Sequence, residues 1–163
     1  MKKILILANN DVGLYKFRKE LIEELLKDNE VYISLPYGNL VDNLIKMGCK
    51  FIDTPVDRRG INPITDLKLL NSYRKLFNKI KPDLAITYTI KPNIYASLIA
   101  RFKKIDYAVN ITGLGTAFQS DNLLRKLIVF LYKIALKKVK VVFFENEENQ
   151  NIFINEHIVS RDK

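Results

Sequence analysis

Short apolar runs alternate with segments of helical periodicity along the whole chain, and that alternation constrains the fold more than any other feature. The runs are Lys3–Ala8, Val31–Leu35, Phe51–Ile52, Leu84–Tyr88, Tyr107–Ile111 and Lys140–Phe144. Apolar residues recur at helical spacing over Phe17–Leu26, Leu40–Met47, Thr65–Ile80, Asn93–Phe102, Asn122–Lys137 and Glu147–Asn155. Gly48 and the Lys81-Pro82-Asp83 turn supply stop signals. No hairpin signal such as Asn-Gly separates two strands. Strand, helix, strand without hairpins means a parallel sheet covered by helices on both faces, an α/β fold of Rossmann-like type.

At 163 residues, 48% hydrophobic and 28% charged, the chain can bury one core, so a single globular domain is expected over residues 1–159. Residues 160–163 read as the start of a linker or tail. Cys49 is the lone cysteine and His157 the lone histidine. They exclude an internal disulfide, a Ser-His-Asp set and a metal cluster, so neither metal nor cofactor is expected. The opening MKKILILANN carries too short an apolar run for a signal peptide, and no stretch approaches the ~20 apolar residues of a membrane span. A cytoplasmic protein is expected.

In such a sheet, ligands bind beyond the carboxyl ends of the strands, so the loops that follow strands are where chemistry belongs. The first holds Asn10, Asp11 and Gly13, without the G-x-G-x-x-G of a dinucleotide site. It reads either as a polar ligand loop or as an ordinary helix cap. Arg58 and Arg59 beside Gly60 suit a phosphate, or are solvated charges. Lys91-Pro92-Asn93 puts a cation where the fourth strand gives way to a helix. Thr112, Gly113, Gly115 and Thr116 follow the fifth strand, where glycine lets backbone approach a ligand or simply turn. Together these loops predict an anion or polar-sugar site.

The net charge is +9. Nucleic acid, an anionic membrane or a phosphorylated ligand could each account for it. No helix-turn-helix or zinc signature is present, so nucleic acid is not the expected partner. The segment NLLRKLIVFLYKIALKKVK places Arg125, Lys126, Lys133, Lys137 and Lys138 on a helix without one acid. An apolar stripe at Leu124, Leu127, Leu131 and Ile134 accompanies them. Such a helix lies on anionic lipid, or packs its stripe in the core and solvates its charges. Arg125, Lys126, Lys133 and Lys137 are the candidate membrane contacts.

Four stretches in order, DRRGINPITDLKLL, TYTIKPNIYASLIAR, NITGLGTAF and VFFENEENQNIF, resemble the N-terminal, acceptor-side domain of family-4-like bacterial glycosyltransferases of the GT-B fold. The resemblance implies one half of a two-domain architecture, with the nucleotide sugar bound by a second domain. It further implies a retaining transfer of a hexose or N-acetylhexosamine from a UDP-sugar to a polyprenyl-diphosphate-linked saccharide, in capsule, lipopolysaccharide or glycoprotein glycan synthesis. The implied partners are a nucleotide sugar, a lipid-linked acceptor, the anionic inner face of the membrane and a donor-binding domain or subunit. The chain alone is expected to be inactive. The E-x7-E spacing of Glu148 and Glu156 imitates the family's donor-side signature, but sits in the wrong domain. Many relatives carry a histidine near the end of strand four. Tyr88, Thr89 and Lys91 stand there instead, so no catalytic residue is carried over. A non-catalytic, membrane-recruiting subunit of a split transferase is the alternative, and a nucleotide-binding regulator a lesser one.

Overall fold

The computed structural model describes residues 1–57, 62–115, 118 and 123–163. Its sheet has the order β3-β2-β1-β4-β5-β6, from β1 (Lys2–Leu7), β2 (Asn29–Leu35), β3 (Lys50–Asp53), β4 (Leu84–Tyr88), β5 (Asp106–Ile111) and β6 (Val141–Phe144). Every pairing is parallel, as the alternation requires. Ile6 at the centre of β1 faces Ile33 on one side and Ile86 on the other. The strand order reverses between β1 and β4, and the chains leaving those two strands diverge to opposite sides of the sheet.

Successive side chains of a strand point to opposite faces, and β1 divides accordingly. Ile4, Ile6 and Ala8 join Leu14, Ile22, Leu44 and Tyr88 in one core, under α1 (Asp11–Phe17), α2 (Lys19–Asp28) and α3 (Val41–Lys46). Leu5 and Leu7 join the other core with Tyr73, Phe77, Val129, Tyr132 and Phe153. That second core lies under α4 (Pro63–Ile80), α5 (Ser97–Lys103), α6 (Leu123–Ala135) and α7 (Glu147–Asn155). Tyr132, Phe144 and Phe118 all pack their rings on Phe153. The Tyr107 hydroxyl donates to Ala135 O at 2.6 Å and fixes the end of α6 to β5.

Three helices differ from their sequence expectation. The first begins at Asp11, because Asn10 Oδ1 accepts the Gly13 N–H at 2.8 Å as an N-cap. It breaks at Arg18, whose φ of −133° is not helical, and a new helix starts at Lys19. Asp11 and Gly13, expected in a loop, therefore sit in the first turn of α1. The helix expected from Asn93 starts as a π-helical turn over Pro92–Ala96 before α5 proper. Helix α6 tightens into a 3-10 turn over Leu136–Lys138. Gly48 ends α3 as expected, with φ +113° and the Cys49 N–H returning to Leu44 O. His157, with φ 54°, plays the same part after α7. The Lys163 carbonyl accepts from Val142 N–H, which lays the end of the chain along β6.

Candidate functional site

A cleft of about 320 Å³ opens beyond the carboxyl ends of β1 and β4, at the reversal of strand order. Such a switch point is where open α/β sheets take their ligands, since the diverging loops leave a crevice. Asn10 and Gly13 line its β1 side, Tyr88 and Thr89 its β4 side, and Thr112 its β5 side. Val12 and Phe17 form an exposed apolar wall, and Arg18 and Glu145 are its charged residues.

Local geometry explains how each is held. Thr89 has φ 71°, a left-handed conformation that a β-branched residue rarely adopts and that costs about 1–3 kcal/mol. Its hydroxyl turns back to the carbonyl of Tyr88. Tyr88 is 4% exposed and its hydroxyl has no hydrogen-bond partner. Burial pushes that phenol above its ordinary pKa, and the positive charge of Arg18 pulls against it. Tyr88 is thus neutral at physiological pH and able to donate. The Arg18 guanidinium lies 5.6 Å from the Tyr88 ring centroid and 3.1 Å from Glu145 Oε1.

The residues expected from sequence divide into several groups. Asn10, Gly13 and Thr112 line the cleft. Asp11 does not line it. It is buried, and its Oδ2 accepts the Leu40 N–H at 2.7 Å, tying α1 to the loop before α3. Asn93 is 1% exposed, and its Nδ2 donates to Asn110 O, so its amide serves the packing of the π-helical turn against β5. Gly113 and Gly115 have φ of +137° and +64°. The left-handed φ of Gly115 is what favours glycine there; a Cβ would also lie 2.8 Å from Ile90 Cδ1, the movable end of that side chain. Arg58, Arg59 and Thr116 lie outside the described residues.

Lys91 has a partner that its place in the sequence does not announce. Its Nζ is 2.7 Å from Asp66 Oδ1 in the first turn of α4, with both side chains largely buried. Tyr95 Oη donates to the other carboxylate oxygen at 3.0 Å. Burial first, and the Asp66 charge second, raise the Tyr95 phenol well above its ordinary value. The cation at the edge of β4 is therefore bound into a Lys91–Asp66–Tyr95 cluster. Lys91 and Tyr95 are four residues apart, on one face of the π-helical turn, and so reach one carboxylate.

On α6 the expected stripe is only partly used by the core. The core takes Val129, Tyr132 and Ala135, while Leu123, Leu127 and Phe130 are 83%, 50% and 58% exposed. At ~100° per residue, the buried arc is turned by about 120° from the Leu124–Leu127–Leu131–Ile134 stripe. Lys126, Lys133 and Lys137 are exposed beside those apolar residues. Arg125 borders that surface, but it is half-buried and paired. It points to α7, where its guanidinium is 2.6 Å from Glu156 Oε1. The helix carries no acid of its own, but the tertiary fold brings one to it. Glu156 is thereby engaged within this domain, and Glu148 is exposed. Among the described residues no group of three or more His, Cys, Asp or Glu side chains is placed to hold a metal ion. No helix among them is long and apolar enough to cross a membrane.

Residues 3–146, which contain every described residue lining the cleft, match the model of the family described as glycosyl transferase 4-like. The chain belongs to the glycosyl transferase 4-like family. A curated relative from Campylobacter jejuni is N,N'-diacetylbacillosaminyl-diphospho-undecaprenol alpha-1,3-N-acetylgalactosaminyltransferase. It is 28% identical over 159 residues, which is 94% of this chain and 42% of the relative. The crystal structure of a glycosyltransferase from Rickettsia africae superposes with a TM-score of 0.74 at 20% identity, covering 99% of this chain and 41% of that one. The UDP-GlcNAc 2-epimerase from Methanocaldococcus jannaschii superposes with a TM-score of 0.62 at 17% identity, covering 98% and 44%. Both structural likenesses show the fold alone, which transferase and epimerase share. The chain spans less than half the length of each. The resemblance carried by the four motifs thus holds for the family, and the expected Rossmann-like parallel sheet is the one observed.

Arg18 carries no local mark of a site residue, and Glu145, whose place after the sixth strand puts it at the ligand edge, carries no local mark of its partner. Arg18 lies within the Phe17–Leu26 stretch of helical periodicity, yet in the structure it is the residue at which the helix breaks, and it lines the cleft. Glu145 comes from a loop at the far side of the chain, 127 residues away.

Proposed function

We propose that this chain is the acceptor-binding half of a retaining glycosyltransferase that extends a polyprenyl-diphosphate-linked saccharide at the inner face of the membrane. The observation that carries the proposal is the family match across the part of the chain that builds the switch-point cleft. The name of the Campylobacter relative supports an acceptor on diphospho-undecaprenol and an acetamido sugar as the transferred unit. It also names an α-linkage, the product expected when a retaining enzyme uses an α-linked UDP-sugar. The donor is held by a second domain or subunit, as the coverage of the relatives suggests. The exposed face of α6, with Leu123, Leu127 and Phe130 beside Lys126, Lys133 and Lys137, supports docking on an anionic membrane.

The test is a comparison of binding with turnover on the 163-residue chain. Calorimetry should detect a short-chain polyprenyl-diphosphate-linked N-acetylhexosamine, while incubation with that acceptor and a UDP-sugar should yield no extended product. Half a cleft cannot orient both reactants. Efficient transfer by the chain alone, or binding of the UDP-sugar in place of the acceptor, would overturn the assignment.

A further inference from the structure

We infer that Arg18 and Tyr88 form an oxyanion subsite at the mouth of the cleft, and that Glu145 occupies Arg18 until a phosphate group of a diphosphate ester replaces it. The inference deepens the functional reading above and rests on it.

Four observations converge. First, the cation expected for a phosphate, Lys91, is committed to Asp66 and largely buried. Among the described residues that line the cleft, Arg18 is the cation. Second, Asn10 caps the Gly13 N–H, which removes one of the backbone donors that the N-terminus of α1 could offer an anion and leaves a larger share to side chains. Third, Tyr88 lines the cleft, and its buried hydroxyl sits beside Arg18 without a well-formed hydrogen bond in the free protein. A buried hydroxyl without a partner costs stability unless something else repays it, and a ligand oxygen does. Burial keeps this phenol protonated, so it donates to an oxyanion without competing with it. Fourth, the next residue, Thr89, is strained at φ 71°, and backbone strain of this kind collects where ligands are clamped.

The pairing with Glu145 has the character of a removable counter-ion. The Glu145 side chain is 50% exposed and Arg18 27% exposed. A half-exposed carboxylate gains little from such a pair and loses little on returning to water. A phosphate offers the planar guanidinium a two-pronged acceptor of higher charge, so exchange favours the ligand. The same chemistry could come from the lipid-linked acceptor or from the nucleotide sugar, and farnesyl diphosphate and UDP separate these sources.

Calorimetry on the 163-residue chain with each probe tests the inference. Arg18→Gln should weaken binding of one probe by about tenfold or more, and Arg18→Lys by less, since it keeps charge without the fork. Glu145→Gln should tighten the same probe severalfold, because the competitor for Arg18 is gone. A purely structural ion pair predicts no such gain. Tyr88→Phe should weaken binding while leaving the melting temperature little changed, because the lost hydroxyl makes no well-formed hydrogen bond in the free protein. The probe that responds identifies the ligand's source. If the wild type binds farnesyl diphosphate but Glu145→Gln and Tyr88→Phe leave its affinity unchanged, the subsite is overturned and the acceptor-half reading stands; if it binds UDP alone, the acceptor-half reading falls. If neither probe binds the wild type, both fall.

Discussion

Replacing Lys91 by methionine tests whether this cation serves the fold or a ligand. Met keeps most of the aliphatic stem and removes the ammonium. The Lys91 and Asp66 side chains are 14% and 17% exposed, and their charged atoms are 2.7 Å apart. Breaking a fully buried pair costs about 3–5 kcal/mol, because the surviving charge is stranded, whereas an exposed pair is worth about 0–1 kcal/mol. This pair lies nearer the buried limit. Two features soften the loss: Tyr95 still donates to Asp66, and the carboxylate sits in the first turn of α4, where the helix dipole favours it. A loss of about 2–3 kcal/mol is expected. With a urea m-value of about 1–3 kcal/mol/M, the unfolding midpoint should fall by about 1–2 M. Adding Asp66→Asn should recover most of it, since the neutral amide still accepts from Tyr95 and strands no charge. A double-mutant cycle should therefore give a coupling above about 1 kcal/mol. A midpoint shift below about 0.3 M for the single variant would refute the reasoning. The ammonium would then be free to serve the acceptor.

Gly38→Ala should lower the melting temperature by several degrees in calorimetry, because the new Cβ would lie 2.4 Å from Asp11 Oδ2, which already holds the Leu40 N–H. Such overpacking costs about 1–3 kcal/mol. The protein should sediment with anionic but not neutral vesicles at low salt, and replacing Lys126, Lys133 and Lys137 by Gln should weaken this by roughly a hundredfold, at ~1 kcal/mol per cation. Leu127→Ser with Phe130→Ser should weaken it further, whereas Arg125→Gln should not, because Arg125 is spent on Glu156. Equal affinity for neutral vesicles would remove α6 as the contact. Burial pushes the Cys49 thiol up to about 11 from its ordinary 9.0. Between these values the unfolded chain releases a proton that the folded chain keeps, so stability falls as pH rises through that window. Urea melts at pH 8 and pH 10 should show this decline, and Cys49→Ala should remove its share of it.

The elements of this fold were legible in the sequence because their signals are local. The continuous apolar run Lys3–Ala8 reads as a strand covered on both faces, and β1 indeed sends Ile4 and Ile6 into one core and Leu5 and Leu7 into the other. Gly48 announced the end of α3, since only a left-handed residue closes that turn at little cost. Asn10 was open to both readings, and the helix claimed its side chain as a cap. The partners of the charged residues were not legible. Lys91 meets Asp66 across 25 residues, Arg125 meets Glu156 across 31, and Arg18 meets Glu145 across 127. Which carboxylate a cation meets depends on strand order and on where helices break, and neither is written within a window of one helical turn. The sequence determined by itself that there would be an α/β sheet with a ligand edge and a surplus of positive charge. Only the tertiary structure decided which cations at that edge are already neutralised, because an ion pair is set by the packing of distant segments and not by the residues on either side of it.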